Sequence, residues 1–198
     1  DAAQHNLKIL GAGFTWTDFQ WSSGTRPQTL HIENITFFTN TVNGYCIYSR
    51  DTQLTMKDVT IDGYSGGEGR WEESGGGALR LRAATYMGHN AATPTINNVT
   101  VKNCCRGLRI QDTTGAYIIN CNIVKATGAS YSVSDNAIYF AAGTYTSDTG
   151  CQDCVFDNCT VEDAGQCAFH NIGGDNNTFK NCTMNGSNGA AMSCFNSN

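Results

Sequence analysis

No helix-period stripe of apolar residues runs anywhere in this chain, and that lack excludes helical bundles and points away from mixed α/β architectures. No stretch is long and apolar enough to cross a bilayer as a helix, so membrane insertion is not expected. Basic residues are scarce. Twelve Lys and Arg face 17 Asp and Glu, a net charge of -5, which argues against nucleic acid as a partner. Nothing resembles a nucleotide-binding loop or a nucleophilic triad. The pair Cys151 and Cys154 has a metal-like spacing, but no second pair matches it, so no zinc site is expected. No secretory signal is present, although a chain that opens at Asp1 is compatible with a removed leader.

What the chain has instead is one short phrase, six times over. The copies are Ile32-Glu33-Asn34-Ile35-Thr36-Phe37, Met56-Lys57-Asp58-Val59-Thr60-Ile61 and Ile96-Asn97-Asn98-Val99-Thr100-Val101. They continue as Ile118-Ile119-Asn120-Cys121-Asn122-Ile123, Phe156-Asp157-Asn158-Cys159-Thr160-Val161 and Phe179-Lys180-Asn181-Cys182-Thr183-Met184. The Asn/Asp positions advance by 24, 40, 22, 38 and 23 residues. A base period near 23 with two enlarged steps predicts a solenoid with insertions on two turns. Apolar and polar residues alternate within each phrase, as in a strand. The alternation breaks at the Asn or Asp, a residue that tolerates the left-handed backbone of a tight bend. Stacked coil on coil, these residues should form a side-chain ladder.

A second register lies between the phrases: Cys46-Ile47-Tyr48-Ser49, Ala78-Leu79-Arg80-Leu81, Gly107-Leu108-Arg109-Ile110, Ala137-Ile138-Tyr139-Phe140, Cys167-Ala168-Phe169-His170 and Ala191-Met192-Ser193-Cys194. Each coil then carries three short strands, stacked roughly 4.8 Å apart. Together with the opening Leu7-Lys8-Ile9-Leu10-Gly11-Ala12-Gly13, these phrases resemble the right-handed parallel β-helix of the pectin-lyase-like superfamily, most of all phage tailspike and pectate-lyase-like domains. The resemblance covers about residues 7 to 195. It implies an all-β solenoid of three parallel sheets and about seven coils, forming one domain over residues 1–198. Such folds host lyases, hydrolases and epimerases as well as adhesins, so the resemblance speaks to fold more than to function. Only six residues precede the first coil, and the last register stops four residues short of Asn198. The expectation is a central piece of a longer protein, or ends covered by flanking domains or by partners in a homotrimer.

Ten cysteines would fit a secreted disulfide scaffold, but the repeat reads otherwise. Cys121, Cys159 and Cys182 occupy the position filled by Ile35, Val59 and Val99 in other coils, so they are expected to be buried thiols. Six glycosylation-type sequons occur, at Asn34, Asn98, Asn158, Asn176, Asn181 and Asn185. Four fall on the Asn ladder, where a structural role is the simpler account.

Alternation in the second register sets Tyr48, Arg80, Arg109, Tyr139 and Phe169 in one outward column, and Arg50, Arg82, Gln111, Ala141 and Asn171 in the next. Two arginines one strand spacing apart repel unless an anion or a carboxylate lies between them. Aromatic neighbours offer flat faces to sugar rings. The insertions 62–77 and 127–134, with the stretch 85–90 after the Arg80 strand, rise beside this column and bring Trp71, Tyr131 and Tyr86 towards it. On the plainer account, the arginines pair with Glu72, Glu73 or Asp112 and the aromatics anchor the loops. The first account makes the chain a polysaccharide-recognising, tailspike- or receptor-binding-like domain on a virion or cell surface. An alternative is a lyase or glycosidase acting on acidic glycan, with Arg80, Arg109, Asp112, Glu72 and Glu73 as candidate catalytic groups. Resemblance to pectate lyases would imply an arginine base and calcium, the one cofactor considered, but the expected cluster of Asp ligands is not evident. A third alternative is a structural spacer in a trimer or filament. His170 is expected to point inward.

Overall fold

The computed structural model describes residues 7–10, 15–17, 21–22, 28–39, 45–50, 52–63, 77–82, 95–104, 106–124, 138–141, 151–164, 167–172, 174–185 and 191–195. Every regular element in them is a strand, and every strand pairing is parallel. The strands form three ladders that wind around one core. The first ladder runs through Leu7–Leu10, Gln28–Thr39, Thr52–Gly63, Thr95–Lys102, Tyr117–Ile119, Val155–Asp157 and Thr178–Lys180. The second starts at Thr15–Thr17, uses the later halves of the same three long strands, and ends on Asn122–Val124, Thr160–Glu162 and Thr183–Asn185. The third is a seven-stranded sheet of Trp21–Ser22, Tyr45–Arg50, Gly77–Arg82, Arg106–Gln111, Ile138–Ala141, Phe169–Ile172 and Met192–Phe195. Seven coils result, as the repeat predicts. The three-sheet expectation needs one correction. The first two ladders form a single 11-stranded sheet, because Gln28–Thr39, Thr52–Gly63 and Thr95–Lys102 each continue across the Asn/Asp bend, where the pairing skips the bend residue and resumes at the next.

That bend has a specific backbone cause. Asn34, Asp58, Asn98, Asn120, Asn158 and Asn181 all have φ between 52° and 55°. Residues with larger side chains resist this left-handed region, whereas Asn and Asp enter it at low cost. The side chains then bond between coils: Asn98 Nδ2 donates to Asp58 Oδ1 at 2.6 Å, and Asn158 Nδ2 to Asn120 Oδ1 at 2.8 Å. Asn120 and Asn181 bond instead to the residue before the ladder position, Asn97 and Asp157. Amides engaged in this way account for the sequons at Asn98, Asn158 and Asn181 on structural grounds.

The inward columns follow the predicted register. Ile32, Met56, Ile96, Ile118 and Phe156 stack in order, each fully buried, and Phe179 continues the column half-buried in the last coil. Ile35, Val59, Val99, Cys121 and Cys159 fill the bend column and are buried as expected, while Cys182 is only partly covered. Burying each such aliphatic or aromatic side chain contributes about 1.5–3 kcal/mol, so the columns carry the fold. Phe156 stacks on Phe179 with ring centroids 5.0 Å apart, and both meet the edge of Phe169. Cys46, Cys104, Cys121, Cys151, Cys154, Cys159, Cys167 and Cys182 are free thiols.

Phe169 marks a second correction. It pairs in register with Ile138 and Met192, and it is 1 % exposed. The sixth strand of the third ladder, Phe169–Ile172, therefore reads one residue later than the sequence alignment above. His170, not Phe169, occupies the outward column, and Asn171 moves into the inward column below Phe140. The physical reason is core volume. The large ring of Phe169 packs edge-on against the stacked Phe156 and Phe179, whereas an imidazole there would bury a polar ring.

Candidate functional site

The third ladder places Tyr48, Arg80, Arg109, Tyr139 and His170 in one unbroken outward register. Ser22 and Ser193 close its two ends. Two residues further along each strand, Arg50, Arg82, Gln111 and Ala141 form the next register line. With Arg106, the residues Arg50, Arg80, Arg82 and Arg109 bring five of the chain's seven arginines onto three adjacent strands, four of them on these two register lines. Strands in a sheet lie about 4.8 Å apart, so this is the densest run of cationic register positions in the ladder. Tyr48, Arg109 and His170 are half-buried, with their rings or guanidinium partly open to solvent. For Arg80, Arg82, Arg50 and Tyr139 the structure describes the register alone.

The other expected site residues divide in two. Asp112 is described, but it is buried at the bend that ends Arg106–Gln111, with a positive φ of 47°. It follows the Arg109 strand without standing in the outward column. Gln111 is likewise buried rather than outward, and its backbone carbonyl accepts a bond from the Thr113 hydroxyl at 2.8 Å. Glu72, Glu73, Trp71, Tyr86 and Tyr131 lie outside the described residues. So do most of the insertions, at 64–76, 83–94 and 125–137, which flank Gly77–Arg82 and precede Ile138–Ala141 in the chain.

His170 is the residue that sequence reasoning missed. Its signal was the preceding Phe, the only side chain in that stretch large and apolar enough to fill the inward position. Burial holds the His170 imidazole below its ordinary pKa, because desolvation disfavours the charged ring. It is therefore a neutral donor and acceptor near pH 7, one register position from Tyr139 and two from Arg109. Among the described residues, no group of three or more His, Cys, Asp or Glu is arranged to hold a metal ion.

Parallel ladders around a single core, with an outward polar strip, define the class: a parallel β-helix. Residues 22–198 match the family described as the right-handed beta helix region, and the chain belongs to it. No curated protein and no solved structure matches the chain.

Proposed function

We propose that the third ladder is a polysaccharide-recognition face, and that the acidic members of that ligand class are its best fit. One observation carries the reading: arginines follow one another in register, flanked by Tyr48 and Tyr139, on a protein of net charge -5. A string of carboxylates along an extended glycan matches a string of guanidinium groups at strand spacing, and tyrosine faces stack against sugar rings. Arginine forks suit carboxylates in particular, since two parallel N–H groups meet two oxygens. The likeness to tailspike and pectin-lyase-like domains supports the same ligand class and a location on a virion or cell surface.

A second reading is an enzyme acting on the same ligand, a lyase or glycosidase. His170 favours it, because a neutral imidazole two register positions from Arg109 can accept a proton from a substrate whose carboxylate the arginines hold. The remaining candidate acids, Glu72 and Glu73, would have to come from the insertion before Gly77–Arg82.

Calorimetry with a polyuronate at low salt tests the binding claim. Arg80→Ala and Arg109→Ala should each weaken binding by about 1–3 kcal/mol, the range for a lost charge-assisted hydrogen bond. The loss should shrink as salt rises and screens the attraction. Unchanged affinity in the double variant would remove the site from this face. Appearance of unsaturated uronate or new reducing ends during incubation would select the enzymatic reading, with His170→Gln then expected to abolish it.

A further inference from the structure

The three bend cysteines form a feature that glycan recognition does not use. Cys121, Cys159 and Cys182 take the same position in three successive coils, each directly after a left-handed Asn. Backbone bonds lock the coils on the far side of each: Thr160 N–H donates to the Cys121 carbonyl at 2.8 Å, and Thr183 N–H to the Cys159 carbonyl at 2.9 Å. Their α-carbons are therefore about one strand spacing apart, roughly 4.8 Å, inside the range of about 4.4–6.8 Å that a disulfide spans. Each thiol points the same way and donates to the carbonyl two residues before it: Cys121 to Ile119 at 3.3 Å, Cys159 to Asp157 at 3.4 Å and Cys182 to Lys180 at 3.2 Å. Cys159 also shares hydrogen bonds with the thiols on both sides, Cys121 and Cys182.

Access separates the three. Cys121 and Cys159 are 2 % and 3 % exposed, but Cys182 is only half-buried. We propose that Cys182 and Cys159 are an oxidative modification site, at which hydrogen peroxide links the last two coils through a disulfide. The Cys182 thiolate attacks the peroxide oxygen, the O–O bond breaks, and a sulfenic acid and one water result. The Cys159 thiolate then attacks the Cys182 sulfur. The S–S bond forms as the S–O bond breaks, and the departing hydroxide takes a proton to leave as the second water. Two thiols are oxidised, one peroxide is reduced, and two waters form. The hydrogen bond from Cys121 pulls the Cys159 thiol down to about 7 against its burial, which favours the second attack near neutral pH. Burial pushes the Cys182 thiol up, so the first attack sets the rate.

The test uses the folded chain with hydrogen peroxide as the probe. Remaining thiols are alkylated after exposure, and the protein is digested without reductant and mapped by mass spectrometry. The expected result is a peptide pair joined through Cys159 and Cys182, with two of the ten thiols lost and both restored by dithiothreitol. Cys182→Ser, at the edge of the core, should fold and give no crosslink at Cys159. The proposal is overturned if Cys182 advances to sulfinic acid with Cys159 still alkylatable. Joining of Cys182 to any other cysteine overturns it too, as does loss of two thiols from Cys182→Ser at the wild-type rate.

Discussion

The outer faces of the first two ladders and of the third solve the same problem in opposite ways. Stacking coils forces like positions together, so any charge meets whatever the next coil carries there. On the first two ladders Lys57, Lys102 and Lys180 each meet a carboxylate. Lys102 lies 3.0 Å from Asp62, Lys57 lies 3.3 Å from Glu33, and Lys180 lies 3.5 Å from Asp157. Glu33 is held below the ordinary carboxylate range by hydrogen bonds from His31 and then Lys57. On the third ladder the register neighbours of Arg80 are Tyr48 and Arg109, and those of Arg82 are Arg50 and Gln111. A face that completes its own charges has little to offer a charged ligand. On the function proposed above, the face that stacks arginine register positions is the one that meets a charged ligand.

If that contrast concerns the faces alone, stability should reside in the core they share. Phe156 belongs to the first ladder and touches Phe169 of the third, so it tests the claim most sharply. Phe156→Ala should cost about 3–5 kcal/mol in denaturant unfolding, the range for emptying a buried aromatic site. A loss below about 1 kcal/mol would mean that the C-terminal coils add little to the cooperative unit, and that the ladders hold together by their edges instead.

The coil number and the columns of Ile32 and Ile35 were legible in the sequence because each phrase carries its own punctuation. An Asn or Asp at the bend fixes the phase, and one slipped residue would bury the polar side chains. The third ladder carries no such marker. Its strands differ in every coil, and Cys167-Ala168-Phe169-His170 admits two alignments with an apolar residue inward. Packing of Phe169 against Phe156 and Phe179 decides between them, and that contact joins residues from different ladders and two successive coils. Further bends were also missed: Asn103 and Asp163 have φ of 57° and 54°, and Asp153 and Asn176 both 54°. Their signal is present in part. Asn103-Cys104 and Asp153-Cys154 repeat the Asn-Cys pairing of the main ladder, and each thiol likewise donates to the carbonyl two residues back, at 3.4 Å.

The electrostatic half of the contrast predicts opposite signs for one kind of substitution. Arg80→Glu places a carboxylate between Arg109 and the Tyr48 strand, so low-salt stability should rise by about 0.2–1 kcal/mol. Lys102→Glu sets a carboxylate against Asp62, its register partner, and should lower stability by a similar amount, about 0.2–1 kcal/mol. Both effects should fade in high salt. Two changes of the same sign would erase the distinction between the faces.

The smallest effect belongs to His170. Its imidazole titrates below the ordinary value because folding half-buries it. The unfolded chain then binds a proton at a pH where the folded chain does not. Stability should fall as pH drops below about 6.5, the ordinary histidine value, and level off once the folded ring is also charged. His170→Gln should flatten that stretch of the stability profile relative to wild type, and the difference between the two curves isolates His170 from the other three histidines. Superimposable curves would mean that the ring is as well solvated as in the unfolded chain. An anionic ligand on the third ladder should move the wild-type transition upward in pH, since it favours the charged imidazole, and should leave the Gln variant unmoved.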